Sequence, residues 1–243
     1  MKDLYLIDRG GGVIMKLISL TDIGVKRREN QDNYWSALLS VDGEEAGVIC
    51  MCDGMGGLNS GGLASKMVAS AVRDYLKTSI DFYGLKDVIE QANKSIYELS
   101  NGDKSAVMGT TCTVLLCYQG KYRILHVGDS RCYLLSNHEF NALTVDHSAI
   151  KQYGITKEKS ELLYKRYKNS LTRCIGVKPE VTLDYYEGNY SEGDSFLVCS
   201  DGLWHYLEDY DYFEEDLFDL KSLVQKCMDS GETDNITVGV LTV

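Results

Sequence analysis

The chain has 243 residues, 44% of them apolar and 25% charged, which is enough to bury a sizeable core and is ordinary for a globular protein. A formal net charge of −11 with no basic block argues against nucleic acid or an anionic membrane as a partner, because nothing is present to neutralise phosphates. A single proline leaves no proline-rich linker, so one compact domain is expected.

Residues 1–14 read unlike the rest, and the first predicted strand, Lys16 to Thr21, begins directly after Met15. Arg9 to Met15 is also what a purine-rich ribosome-binding site and its spacer would spell if translated. Met15 is therefore expected to be the natural start, with 1–14 a loose or non-native extension and 15–243 the folded domain. A native N-terminal peptide that begins before Met15, found by mass spectrometry, would refute this. A charged turn (Asp22 to Asp32) then leads to a strand (Tyr34 to Ser40) and to an apolar run (Gly47 to Cys52) that ends at Asp53.

Helical spacing of Leu63, Met67, Val68, Ala71, Val72, Tyr75 and Leu76 predicts a helix over 60–78. Leu85, Val88, Ile89, Ala92, Ile96 and Leu99 predict a second over 85–99, both facing the core. The period then changes to two. Thr110 to Tyr118, Tyr122 to Val127 and Arg131 to Leu135, separated by Gln119-Gly120 and Gly128-Asp129, read as an antiparallel meander. A polar stretch rich in lysine and tyrosine (Ala149 to Asn169) reads as a loop or short helices. Strands follow at Val181 to Tyr186 and Phe196 to Cys199. An acidic segment (Glu208 to Asp219) leads into a helix carrying Leu220, Leu223, Val224, Cys227 and Met228, and Ile236 to Val243 closes the chain as a strand. This order favours antiparallel sheets covered by helices over a doubly wound parallel sheet.

None of the eight cysteines forms a C-x-x-C pair, and most sit inside apolar runs such as Val48 to Cys52, so they read as small buried hydrophobes in a reducing compartment, with no zinc site expected. No apolar run approaches membrane-spanning length and no signal pattern opens the chain, so a cytoplasmic location is expected. A Walker-type nucleotide enzyme is excluded by the absence of its glycine-lysine loop.

Three aspartates stand out. Asp53 ends an apolar run and precedes Gly54-Met55-Gly56-Gly57, Asp201 ends Phe196 to Ser200 and precedes Gly202, and Asp234 precedes the last strand. Singly, each reads as a turn residue. Together, strands that end where neighbours begin can bring them to one edge of a sheet, where carboxylates repel unless cations lie between them. Oxygen-only donors suit Mg²⁺ or Mn²⁺, and the glycines after Asp53 and Asp201 are expected to let backbone approach a ligand.

These aspartates belong to a longer series: Asp22-Ile23-Gly24-Val25-Lys26-Arg27-Arg28-Glu29-Asn30-Gln31-Asp32, Val48 to Gly57, Gly109-Thr110-Thr111, His126 to Arg131, Leu143 to Ser148, Leu171 to Gly176, Ser200-Asp201-Gly202-Leu203 and Asp234-Asn235-Ile236-Thr237. In this order and at these separations the chain resembles the bacterial branch of the PPM (PP2C-type) serine/threonine protein phosphatases, over about residues 17 to 243. The resemblance implies an α+β fold: a four-layer αββα sandwich of two antiparallel β-sheets packed face to face and flanked by helices. It also implies a binuclear Mn²⁺/Mg²⁺ centre that hydrolyses phosphoserine and phosphothreonine on proteins by a metal-activated water.

By position, Asp53 matches the bridging ligand with the Gly54 carbonyl on one metal, and Asp201 and Asp234 match the carboxylates of the other. Asp129, with Asp201, matches a weaker third site. Asp32 matches the acid that orients the water, and Arg27 matches the phosphate-binding arginine. The implied partners are phosphorylated proteins and a bacterial serine/threonine kinase that the enzyme opposes, with the chain acting as a monomer.

Gln31 replaces a glutamate usual in relatives, and Met55 stands where eukaryotic members have a histidine. His205 stands where they have an acid near the third metal; it either ligates a metal or is simply exposed, and the exposed reading is favoured. His126 is expected in the core, His138 in a surface turn and His147 in a structural role. Arg131 and Arg173 are expected to pair with carboxylates. The family's variable lid falls at 149–170, with tyrosine and lysine in place of a His-Pro. A catalytically dead binding module is the competing reading; retention of Asp32, Asp53, Asp201 and Asp234 counts against it.

Overall fold

A computed structural model describes residues 15–56, 60–100, 108–209 and 217–243. The extension expected over 1–14 and most of the acidic segment, at 210–216, lie outside the described residues. The elements in chain order are β1 (Lys16–Asp22), β2 (Asn33–Val41), β3 (Glu44–Cys52), β4 (Gly54–Gly56), α1 (Ser60–Leu76), α2 (Phe82–Ser100), β5 (Met108–Thr110), β6 (Cys112–Tyr118), β7 (Lys121–Val127), β8 (Arg131–Ser136), β9 (Glu139–Ala142), α3 (Ala149–Tyr153), α4 (Glu161–Tyr167), β10 (Asp184–Asn189), β11 (Ser195–Cys199), α5 (Asp201–Asp209), α6 (Leu220–Asp229) and β12 (Ile236–Thr242). Among the described residues no helix is long and apolar enough to cross a membrane.

Two five-stranded sheets, ordered β1-β12-β11-β8-β9 and β10-β7-β6-β3-β2, are antiparallel at every pairing. Strand β3 shows why its apolar run is continuous. Its side chains alternate between faces: Val48, Cys50 and Cys52 join Val68, Val72, Leu85 and Ile89 under α1 and α2, while Ile49 and Met51 join Phe196, Val198 and Leu241 of the first sheet. A strand buried on both faces needs no polar positions. On the far side, α5 and α6 cover the first sheet with Leu203, Trp204, Leu223 and Val224 against Leu197, Val238 and Val240. Helix, sheet, sheet and helix therefore enclose three apolar layers, the four-layer sandwich expected from the resemblance.

Three local expectations change. Residues 110–135 are not one meander: β6 and β7 form a hairpin across Gln119-Gly120, but β8 pairs with β11 and β9 in the opposite sheet. The Gly128-Asp129 segment is a crossing between sheets, and a turn dipeptide does not reveal which sheet receives the next strand. Asp201 opens a helix, α5, which the sequence reading missed because the segment is short and begins with a strand-ending motif. Leu63 and Leu99, assigned to core faces, are 49% and 63% exposed. The small residues Gly61, Ala64, Ser65 and Ala69 bring α1 close to the sheet instead.

Candidate metal centre and active site

The strand register gathers the aspartates. In the first sheet β1 ends where β12 begins (Asp22 opposite Ile236), and β11 ends where β8 begins (Cys199 opposite Arg131). In the second, β3 ends where β2 begins (Cys52 opposite Asn33), and β7 ends where β6 begins (Val127 opposite Cys112). All of these ends lie on one side of the sandwich. Asp32 precedes β2, Asp53 follows β3, Asp129 joins β7 to β8, Asp201 follows β11 and Asp234 precedes β12. Arg27, Asp53, Gly54, Asp129, Asp201 and Asp234 line one cavity of about 180 Å³, together with Gln31, Met55 and, from the far end of the lid, Asn169. Asp32 sits behind this wall, 7% exposed.

Four of these aspartates are fixed through their own backbone, their own carboxylate or a sequence neighbour. Thr111 donates its backbone N–H to the Asp53 carbonyl (2.9 Å) while its Oγ1 accepts from the Asp53 N–H (2.9 Å), and Thr110 Oγ1 also donates to that carbonyl (2.9 Å). Trp204 Nε1 donates to the Asp129 carbonyl at 2.8 Å, with the Arg131 guanidinium stacked 3.6 Å over its ring. Asp32 Oδ2 accepts from Ser200 Oγ (2.8 Å) and Thr237 Oγ1 (2.6 Å). Asn235 donates to the Ile23 and Glu29 carbonyls and accepts from the Gln31 N–H at 2.9 Å, tying the arginine loop to the Asp234 turn. Ser200, Thr237, Asn235, Thr111 and Trp204 were not singled out from sequence. Their only signal was adjacency to motif aspartates or membership of the same motifs.

Desolvation pushes the carboxyls of Asp53 and Asp129 well above the usual range, and mutual repulsion adds to it: Asp32 and Asp201 act on Asp53, and Asp201 and Asp146 on Asp129. Burial also raises Asp201, against the favourable charge of His205. Asp32 is pushed up to about 7, chiefly by burial, although Thr237 and Ser200 oppose the rise. Asp201 Oδ1 is buried without a hydrogen-bond partner, a costly state unless another group serves it. A set of oxygen donors that repel one another and carry an orphaned oxygen fits hard divalent cations. Arg27, its side chain 52% exposed, donates to Asp234 Oδ2 at 2.5 Å, and this contact raises its own pKa.

His205 is not exposed. Its side chain is 13% accessible, with Nδ1 3.6 Å from Glu232 Oε2, and neither ring nitrogen has a hydrogen-bond partner. The cause is α5, which sets it one turn after Asp201 on the same face. The glycines after the aspartates also meet a packing need. A Cβ on Gly202 would lie 2.1 Å from the Asn235 carbonyl oxygen, and one on Gly54 would lie 2.4 Å from those of Gln31 and Gly61. At both positions neighbouring backbone fills the space a side chain would need, and Gly54 also lines the cavity.

His126 is buried against Thr113 Oγ1 (2.9 Å), and His147 Nδ1 accepts from the Gly128 N–H at 3.0 Å. His138 lies exposed in the turn between β8 and β9. Arg131 grips Asp146 through two nitrogens (2.9 and 2.7 Å), and Arg173 pairs with Asp184. The lid carries α3 and α4, capped by Ser148 and Ser160, and closes at its base through the Ser148–Leu171 bridge.

A family profile described as Protein phosphatase 2C matches residues 25–235. The chain is 32% identical to the serine/threonine phosphatase stp of Listeria monocytogenes, over 90% of this chain and 92% of that one. It is 31% identical to the protein phosphatase PhpP of Streptococcus pneumoniae, over 94% and 98%. The S. agalactiae serine/threonine phosphatase superposes with a TM-score of 0.78 at 29% identity, covering 94% of this chain and 99% of that one. The catalytic domain of the serine/threonine protein phosphatase PstP, solved with two manganese ions, shares the fold at a TM-score of 0.76 and 23% identity, over 94% and 97%.

Proposed function

Because this chain belongs to the protein phosphatase 2C family and is a protein-serine/threonine phosphatase, we propose that it uses two Mn²⁺ or Mg²⁺ ions at the aspartate cavity to hydrolyse phosphoserine and phosphothreonine on proteins. Asp53 and the Gly54 carbonyl would hold one ion, and Asp201 and Asp234 the other. Asp129 with Asp201 offers a third, weaker site. The observation that carries this reading is the convergence of four carboxylates, Asp53, Asp129, Asp201 and Asp234, brought by separate strand ends to one pocket with Asp32 behind its wall, where desolvation disfavours the charge of Asp53 and Asp129. Bound cations would supply an activated water near neutral pH and offset the charge that grows on the phosphoryl oxygens.

The chain's own groups do the rest. Asp32 is fixed through Oδ2 by Ser200 and Thr237, leaving its second oxygen to orient the attacking water and take its proton. Arg27 reaches the cavity from a loop anchored by Asn235. When Asp234 serves a cation, the guanidinium fork is free to grip two phosphoryl oxygens. All eight cysteines are free thiols, which suits the reducing cytoplasm, where a bacterial serine/threonine kinase would supply the phosphoproteins.

The test is hydrolysis of a phosphothreonine peptide by the wild type and Asp201→Asn, each with Mn²⁺ or EDTA. Metal-dependent turnover that collapses in the variant is expected. Undiminished turnover in EDTA, or in Asp201→Asn, would overturn the assignment.

A further inference from the structure

Beneath the aspartate cavity lies a second cluster of metal-binding atoms that the phosphatase reading does not use. Strand alternation puts Cys50 and Cys52 on one face of β3. The register that pairs Cys50 with Val114 and Met51 with Thr113 extends to set Cys52 opposite Cys112, the first residue of β6. The next pair along is hydrogen-bonded, Thr111 N–H to the Asp53 carbonyl at 2.9 Å. Cys52 and Cys112 therefore form a non-hydrogen-bonded pair, the kind whose side chains approach most closely.

The result is three sulfurs that all lie within 4.8 Å of one another, with Cys50 Sγ and Cys52 Sγ 3.8 Å apart. One ion bound at about 2.3 Å from each of three sulfurs needs them about 3.8–4.0 Å apart. The spacing thus requires shifts of an ångström or less. All three residues are fully buried, within the apolar layer between the second sheet and α1 and α2.

We propose that Cys50, Cys52 and Cys112 form a thiolate site for one soft, thiophilic cation, Cu⁺ or Zn²⁺. Sulfur donors select such ions, whereas the oxygen donors of the cavity select Mg²⁺ and Mn²⁺. The two sites sit on opposite faces of the same strand ends: Asp53 and Thr111 line the cavity, and Cys52 and Cys112 are their chain neighbours, pointing the other way. Binding breaks S–H bonds and forms metal–sulfur bonds, and the protons leave to solvent, so uptake weakens as pH falls. No oxidant is involved. The sequence offered no sign of this site, because an i, i+2 pair on one strand and a third cysteine sixty residues later match no metal-ligand spacing.

The test uses the full chain, kept reduced, loaded separately with Zn²⁺ and with Cu⁺ and then washed with EDTA, which strips the carboxylate centre. About one equivalent of metal should remain, and X-ray absorption should show sulfur neighbours at about 2.3 Å. Asp201→Asn should retain this signal and Cys112→Ala should lose it. Retention of Zn²⁺ alone or Cu⁺ alone identifies which soft ion the site takes. No retained metal, a shell of oxygen and nitrogen only, or retention unchanged in Cys112→Ala would overturn the proposal. So would a mass lower by two hydrogens, which marks a disulfide instead. Should Cys112→Ala fail to fold, the wild-type sulfur shell decides alone.

Discussion

Stripping the metals should make stability depend on pH in a direction set by the buried aspartates. Asp32 has a folded-state value of about 7 against 3.8 in the unfolded chain. A raised carboxyl contributes stability that is fully present below pH 3.8 and is lost as pH rises through 7. At 1.36 kcal/mol per pH unit, the loss amounts to about 4 kcal/mol as an order of magnitude. Asp53, Asp129 and Asp201 are raised as well and act with the same sign. A cation in the cavity reverses this, because it favours the ionised form of every carboxylate it touches. The stabilisation that Mn²⁺ confers over EDTA should therefore grow between pH 5 and pH 7, by about 2.7 kcal/mol for each proton displaced. For a chain of this length that is a rise in the melting-temperature difference of about 5–11 °C.

His126, held neutral by burial with its pKa lowered to about 3, destabilises both forms as pH falls below 6.5 and cancels in the difference. Differential scanning fluorimetry in Mn²⁺ and in EDTA at pH 5, 6 and 7 measures the quantity directly, and Asp32→Asn should flatten the slope. A Mn²⁺ effect that is constant across this range, or larger at pH 5, would refute the reasoning.

Four further outcomes are expected. Gly202→Ala forces a methyl group against the Asn235 carbonyl and should cost about 1–3 kcal/mol, seen as a lower urea midpoint at an unchanged m-value; a midpoint equal to wild type would show that the turn yields. Trp204→Phe strands the buried Asp129 carbonyl, and a loss of about 1–3 kcal/mol should be measurable in the same titration. Arg131→Met leaves Asp146, 9% exposed, without its two-nitrogen partner; a loss of about 3–5 kcal/mol is expected, and a loss below 1 kcal/mol would mean the pair carries little. Arg27→Lys keeps the charge but not the fork, so KM for a phosphopeptide should rise more than kcat falls, while thermal stability stays close to wild type.

Much of the architecture was legible because burial on both faces writes itself into composition. The run Val48 to Cys52 has no polar position, since one face meets helices and the other meets a sheet. The helix over 60–76 was found for a partly mistaken reason. Its apolar stripe is right at Val68, Val72 and Leu76 but not at the exposed Leu63, and the buried face also includes Gly61, Ala64, Ser65 and Ala69, small residues to which hydrophobicity scales give little weight. The burial of His205 was missed together with α5, since a ring's exposure depends on which helix carries it and on where Glu232 comes to rest.

Sequence alone determined the strand-rich order, the early helical pair and the late helix, the family resemblance and the choice of the aspartates and of Arg27 as candidates, because each is a local property of side-chain type and spacing. Tertiary structure decided the rest. It assigned β8 to the opposite sheet from β7, buried Asp32 against Ser200 and Thr237, and left Asp201 with an unserved oxygen. It also drew Cys50, Cys52 and Cys112 into one cluster. These outcomes depend on register and on which sheet a crossing strand joins. They arise from pairings between residues dozens to hundreds of positions apart, and no local pattern in the chain encodes those distances.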